Sequence, residues 1–180
     1  MAAKIVRKGG VIVFPTETVY GIGASALNKK AVKKIFKIKN RPARKPLGLF
    51  VAQKSQLKLL VKEVPKVARK LIQKYWPGPL TLIFKDKQGK TIGIRMPDHP
   101  VILKILKMIK VPMVQTSANK SGQPAPQTVK EVIRQLGRQK INLILDGGPT
   151  KLGVASTVID VTQKPPKILR KGALRKSLPQ

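Results

Sequence analysis

Short apolar runs alternate with stretches of helical period along this chain, with no long gap between them. Val11-Ile12-Val13-Phe14, bounded by Gly10 and Pro15, reads as a buried strand, and Pro15 ends it because proline lacks a backbone donor. Residues 15–23 then read as a loop with two threonine hydroxyls, a carboxylate, a tyrosine and two flexible glycines. A loop on the end of a rigid strand is where α/β proteins place ligand sites. Over Lys29–Lys39, Ala31, Val32, Ile35 and Phe36 recur at helical spacing behind Asn28, a capping residue. The other face carries Lys29, Lys30, Lys33, Lys34 and Lys37. Like charges at i,i+4 cost roughly 0.2–0.5 kcal/mol each, so packing of the apolar face must hold this helix.

Residues 40–46 read as a loop, 47–52 as a strand and 55–60 as a short helix. Pro65 opens a further helix as its first residue, with Val67, Ala68, Leu71, Ile72 and Tyr75 on one side, and Trp76-Pro77-Gly78-Pro79 ends it. Leu80–Lys85 and residues 91–96 form two strands joined across Gln88-Gly89. A helix is expected between Pro100 and Lys110, and a strand over residues 113–116 leads into Ser117-Ala118-Asn119-Lys120-Ser121-Gly122. Thr128 caps a helix through Leu136, with Glu131 as capping-box partner. Residues 141–145, 157–161 and 168–170 complete the strands. This order predicts one α/β domain over residues 1–180 with a mixed sheet, and a basic, partly disordered tail over 171–180.

Charge changes the picture most. Lys plus Arg number 38 against 7 Asp plus Glu, a formal +31. Such an imbalance attracts polyanions, although a merely solvated lysine surface fits it equally. Cysteine is absent and His99 is the only histidine, read here as a helix-start residue, so a disulfide framework or zinc site has no support. No apolar run approaches the roughly 18 residues of a membrane span, and the N-terminus lacks a signal-peptide core. A cytoplasmic protein without a membrane partner is expected. Gly21-Ile22-Gly23-Ala24-Ser25-Ala26 fits G-x-G-x-x-A, but six residues separate it from its strand and no acid lies between Glu17 and Glu63 to hold a ribose. There is no P-loop, no G-x-S-x-G and no close acidic pair. No residue is assigned as an acid or base, so an enzyme of this composition works by positioning and by stabilising negative charge. Thr16, Thr18, Thr116, Ser117, Asn119, Ser121 and Ser156, with Lys39, Arg41, Arg95 and Arg170, fall near strand ends and point to an anionic ligand.

Pro15-Thr16-Glu17-Thr18-Val19-Tyr20-Gly21-Ile22-Gly23 resembles the opening signature of the YrdC-like threonylcarbamoyl-AMP synthases. Further pieces follow in that family's order: Lys39-Asn40-Arg41-Pro42 with Pro46-Leu47, Trp76-Pro77-Gly78-Pro79-Leu80-Thr81, Arg95-Met96-Pro97, Thr116-Ser117-Ala118-Asn119-Lys120-Ser121-Gly122, Ser156-Thr157-Val158-Ile159-Asp160 and Leu169-Arg170-Lys171-Gly172. The resemblance implies a twisted mixed sheet with flanking helices around a basic concave cleft. It implies synthesis of threonylcarbamoyl-adenylate from L-threonine, bicarbonate and ATP, with Mg²⁺ held mainly by phosphates and no tightly bound cofactor. Downstream proteins would transfer the threonylcarbamoyl group to tRNA.

Carried over by position, the resemblance places Thr18, Phe50, Arg95, Ser117 and Ser156 around threonine, and Lys39, Arg41, Lys45, Asn119 and Arg170 around the nucleotide. Lys39 and Arg41 would act electrostatically on phosphates. Phe50 stands where long-form members place a histidine after Pro-Leu, so the threonine pocket must be completed differently. Because the chain stops at Gln180, the long form's linker and second domain are expected to be absent. The rivals are a non-enzymatic YrdC-like protein binding double-stranded RNA, tRNA or rRNA through the same concavity, and a paralogous carbamoyl-handling protein. Intact Ser117-Ala118-Asn119 and Thr16-Glu17-Thr18 favour the synthase over that paralogue.

Overall fold

The computed structural model describes residues 1–174, so residues 175–180 of the expected tail lie outside the described residues. In chain order the elements are α1 (Ala2–Arg7), β1 (Ile12–Phe14), β2 (Gly21–Ser25), α2 (Lys29–Lys39) and β3 (Gly48–Phe50). A 3₁₀ turn (Lys54–Gln56) then runs into α3 (Leu57–Leu60), followed by α4 (Lys66–Tyr75), β4 (Leu80–Lys85) and β5 (Thr91–Arg95). The rest comprises α5 (Pro100–Ile109), β6 (Met113–Ser117), α6 (Val129–Leu136), β7 (Leu143–Ile144), β8 (Thr157–Asp160) and β9 (Lys167–Arg170). The strands form one mixed sheet in the order β7-β1-β2-β6-β3-β5-β4-β8-β9.

Alternation along the strands splits the core into two layers. Val11 and Val13 face one layer, with Ala31, Ile35 and Ile38 of α2 and Ala68, Leu71 and Ile72 of α4. Ile12 and Phe14 face the other, where α1 (Ala3, Val6) and α5 (Ile102, Ile105, Leu106, Ile109) cover Phe50 and Met113. Since α1 and α5 cover only one end of this second face, its remainder is open. That opening is the cleft described below.

The structure departs from the sequence reading at several points. Gly21 and Gly23 are strand residues, not flexible loop positions. A Cβ on Gly23 would come 2.6 Å from the Val114 carbonyl oxygen and 3.1 Å from the Phe14 ring, so close approach, not freedom, explains the glycine. Helix α1 has no capping side chain and only six residues; it stands because Ala3 and Val6 pack into the α5 layer. On α2 the buried residues are Ala31, Ile35, Ile38 and Lys39, while Val32 and Phe36 are half-buried, and Lys34 donates to Asn142 Oδ1. Asn28 and Thr128 cap α2 and α6 as expected, but the Glu131 carboxylate accepts from Gln127 N (2.9 Å), one residue before the capping-box donor. Pro65 is the N-cap of α4, not its first residue. Residues 172–174 are held rather than loose: Gly172 N and Leu174 N donate to Thr157 Oγ1, and Ala173 N to the Ala155 carbonyl.

Candidate active site

The uncovered face forms a cleft of about 310 Å³. Strand register builds its floor. Gln115 pairs with Gly48, Leu49 with Ile94 and Gly93 with Ile83, which sets Gly48 and Gly93 side by side on one face. A Cβ there would press on the Gln115 amide (3.0 Å) or the Ile83 δ-methyl (3.1 Å), so two glycines give the cleft its depth. One wall carries Arg41 and Ser117, and the other Thr81, Ser156 and Arg170.

Arg41 is fixed by its own loop, with Nε donating to the Lys45 carbonyl and Nη2 to the Pro46 carbonyl, both at 2.8 Å. Opposite, Arg170 donates from Nε to the Ser156 carbonyl (2.9 Å) and from Nη2 to Ser156 Oγ (3.1 Å). Ser156 Oγ lies 2.8 Å from Thr81 Oγ1. Two hydroxyls share one proton across that contact, so the pair retains a second O–H to offer a ligand. Burial lowers the pKa of Arg41 and of Arg170, and for Arg170 the like charge of Arg95 adds to it. Guanidinium groups stay charged regardless, so the cleft holds converging cations that an anion would relieve.

Arg95 also lines the cleft but is only 4 % exposed. It donates from Nε to the Gly78 carbonyl and from Nη1 to Thr18 Oγ1, both at 3.0 Å, and Nη2 sits 2.6 Å from Glu17 Oε1. Burial pulls its pKa down while Glu17 and Asp98 oppose that. The Trp76–Leu80 turn supports it: Trp76 Nε1 donates to the Leu80 carbonyl and Gly78 N to the Met96 carbonyl.

Of the ten residues placed around threonine and the nucleotide, six therefore converge on one cleft, Thr18, Arg41, Arg95, Ser117, Ser156 and Arg170, and Thr116 lines it with them. Thr18 stands behind the wall with 0 % of its surface exposed, bonded to Arg95 and Thr16. Four others do not line the cleft. Phe50, expected at the threonine pocket, lies two residues beyond Gly48 on the same face, under the α5 layer and 1 % exposed. Its ring supports the Arg95 guanidinium at 5.5 Å. Lys45 is exposed on the rim loop and contributes only a carbonyl to Arg41. Asn119 is buried, its amide donating to the Lys120 and Gln123 carbonyls, and Lys39 is 1 % exposed behind it. Tyr20 of the opening motif is structural too: its hydroxyl donates to the Gly148 carbonyl (2.7 Å) and accepts from Gly147 N. His99 is the N-cap of α5, outside the cleft, and burial lowers its pKa.

Sequence reasoning missed Thr81, Gln115 and the glycine floor. Thr81 had a signal, as a polar residue after Trp-Pro-Gly-Pro-Leu, whereas the floor exists only through register. A larger concavity of about 640 Å³ lies between α3 and α4, but lysine stems form much of its lining and no predicted site residue reaches it. Among the described residues no helix is long and apolar enough to cross a membrane.

Comparison with known proteins bears on the fold and the family. A threonylcarbamoyl-AMP synthase of Pyrococcus abyssi is 44 % identical over 97 % of this chain and 54 % of its own. A crystal structure of P. abyssi Sua5 complexed with L-threonine superposes with a TM-score of 0.91 over 95 % of this chain and 53 % of that one. The chain thus spans about half the length of these relatives. A putative threonylcarbamoyl-AMP synthase of Methanocaldococcus jannaschii is 37 % identical over 95 % of this chain and 84 % of its own. The Sua5/YciO/YrdC family model, described as telomere recombination, matches residues 4–172, and the chain belongs to that family.

Proposed function

We propose that the protein is an L-threonylcarbamoyladenylate synthase, using L-threonine, bicarbonate and ATP to make threonylcarbamoyl-AMP for tRNA modification. The observation that carries the reading is the meeting of Arg41, Arg95 and Arg170 with Ser117, Ser156 and Thr81 in one cleft of a chain of this family. The threonine amine condenses with bicarbonate to a carbamate with loss of water, and a carbamate oxygen then attacks the α-phosphorus as pyrophosphate leaves. Such a step needs neutralised charge and excluded water rather than a protein acid or base. Arg41 and Arg170, on opposite walls, take the phosphates and the amino-acid carboxylate between them. The free hydroxyl proton of the Thr81–Ser156 pair adds a donor at the Arg170 end. Arg95, neutralised by Glu17, acts less as an anion ligand than as a brace for Thr18.

Mg²⁺ arrives on the nucleotide. No acid lines the cleft; Glu17, beside Thr18, faces Arg95, and among the described residues no group of three or more His, Cys, Asp or Glu side chains is placed to hold a metal. The exposed lysines of α2 offer tRNA or other RNA a phosphate-binding surface, and transferase proteins take the product onward. Purified protein should release pyrophosphate from ATP only when threonine and bicarbonate are both present. Release at the same rate without threonine would defeat the proposal.

A further inference from the structure

Lys39 ends α2 with its ammonium turned away from solvent. Nζ donates to the Ser117 carbonyl (2.5 Å), the Asn119 carbonyl (2.5 Å) and Asn119 Oδ1 (3.3 Å). Its backbone carbonyl accepts from Ser121 N (2.9 Å), so one residue grips the loop from both sides. The Asn119 amide extends the grip to the Lys120 and Gln123 carbonyls. An ammonium has three protons, and these three oxygens use all of them. None is left for the cleft, although Ser117 and Arg41 on either side line it.

The charge itself is unanswered. Among the described residues the one ion pair is Glu17–Arg95, so no carboxylate lies within 4.0 Å of Lys39. From its own loop the charged neighbour is Arg41, a like charge; from the far loop it meets Ser117, Asn119 and Ser121, all neutral. Burial, and then Arg41, lower its pKa to about 7. The neutral amine has two N–H groups and a lone pair, so one of the three oxygens would then face a lone pair.

We infer that Lys39 is a positioning residue: in its charged form it clamps the Ser117–Asn119 loop into the cleft wall, and an anion bound in the cleft tightens the clamp by favouring that form. The inference takes from the proposed function only that the ligand is anionic. Linkage gives its sign. The anion raises the Lys39 pKa, so binding takes up protons and affinity falls as pH climbs from about 7 through the raised value.

Two measurements on the full chain test it. In ligand-free Lys39→Met, amide exchange at 117–121 should accelerate about tenfold or more, the scale of one charge-assisted hydrogen bond, while β2 and β4 keep their protection. In wild type, calorimetric titration of ATP at pH 8, above phosphate's own titration near about 6, should give heats that vary with buffer ionisation enthalpy through proton uptake. Lys39→Met should lose that dependence. Unchanged exchange at 117–121 overturns the clamp, and wild-type binding without proton uptake overturns the coupling. If Lys39→Met fails to fold, wild-type exchange at 117–121, corrected for intrinsic rates, still decides. Protection that does not weaken between pH 6 and 9 overturns the inference. A loosened loop in a protein that makes no adenylate would support the clamp and sink the proposed function.

Discussion

Glu17→Gln isolates the one buried ion pair among the described residues. Glu17 is 7 % exposed and Arg95 is 4 % exposed, with Oε1 and Nη2 2.6 Å apart. Neither atom has an aligned hydrogen bond, so the pair is held by charge. The substitution keeps the volume and removes the charge, which leaves a guanidinium buried over Phe50 with neutral contacts at Gly78 and Thr18 and only Asp98, beyond ion-pair distance, to offset it. Stranding a buried charge costs about 3–5 kcal/mol. Because the glutamine oxygen still solvates Nη2, we expect the lower end, about 3 kcal/mol. That is a large part of a typical stability of about 5–15 kcal/mol. Urea unfolding followed by tryptophan fluorescence reads it out as a midpoint lower by about 1–3 M at unchanged slope. Glu17→Gln/Arg95→Met removes both charges and leaves an apolar chain on Phe50, so it should be more stable than Glu17→Gln alone. A loss below about 1 kcal/mol in the single variant, or additive losses in the double, would refute the reasoning.

Two further outcomes are expected. Gly23→Ala must push a methyl group toward the Val114 carbonyl and should cost about 1–3 kcal/mol, a fall in Tm of roughly 2–12 °C by scanning calorimetry; an unchanged Tm would mean that β2 and β6 separate freely. Lys30→Ala/Lys33→Ala removes two exposed charges of α2 and should lower the slope of log RNA affinity against log salt by up to about 1.4–1.8 while pyrophosphate release stays at the wild-type rate.

Most elements were legible in the sequence because their apolar residues are spaced as their burial requires. The 3.6-residue recurrence at 100–109 reports burial residue by residue, and the largely apolar run at 80–84 marks a strand buried along nearly its whole length. Strand β2 was not, because Gly21 and Gly23 look like loop residues until the Phe14 ring and the Val114 carbonyl are known to lie against them. The cleft was half legible. Arg41, Ser156 and Arg170 stand out as cations and hydroxyls at strand ends, whereas Gly48 and Gly93 carry no chemistry and matter only through register. Lys39 did leave a trace. It falls at i+4 from Ile35 and i+8 from Ala31, on the apolar face of α2, where a lysine is out of place unless the structure has a use for it.

The bare floor of the cleft also bears on the entropy of binding. Ordering a mobile side chain against a ligand costs about 0.5–1.5 kcal/mol each. Gly48 and Gly93 have no side chain to order, and hydrogen-bonded neighbours hold their backbone in the sheet before any ligand arrives. What remains to be ordered stands in the walls, where Arg41 is tied to the Lys45 and Pro46 carbonyls and Arg170 to Ser156. The floor and the two wall arginines thus reach their binding shape during folding, and association is spared much of that loss of freedom.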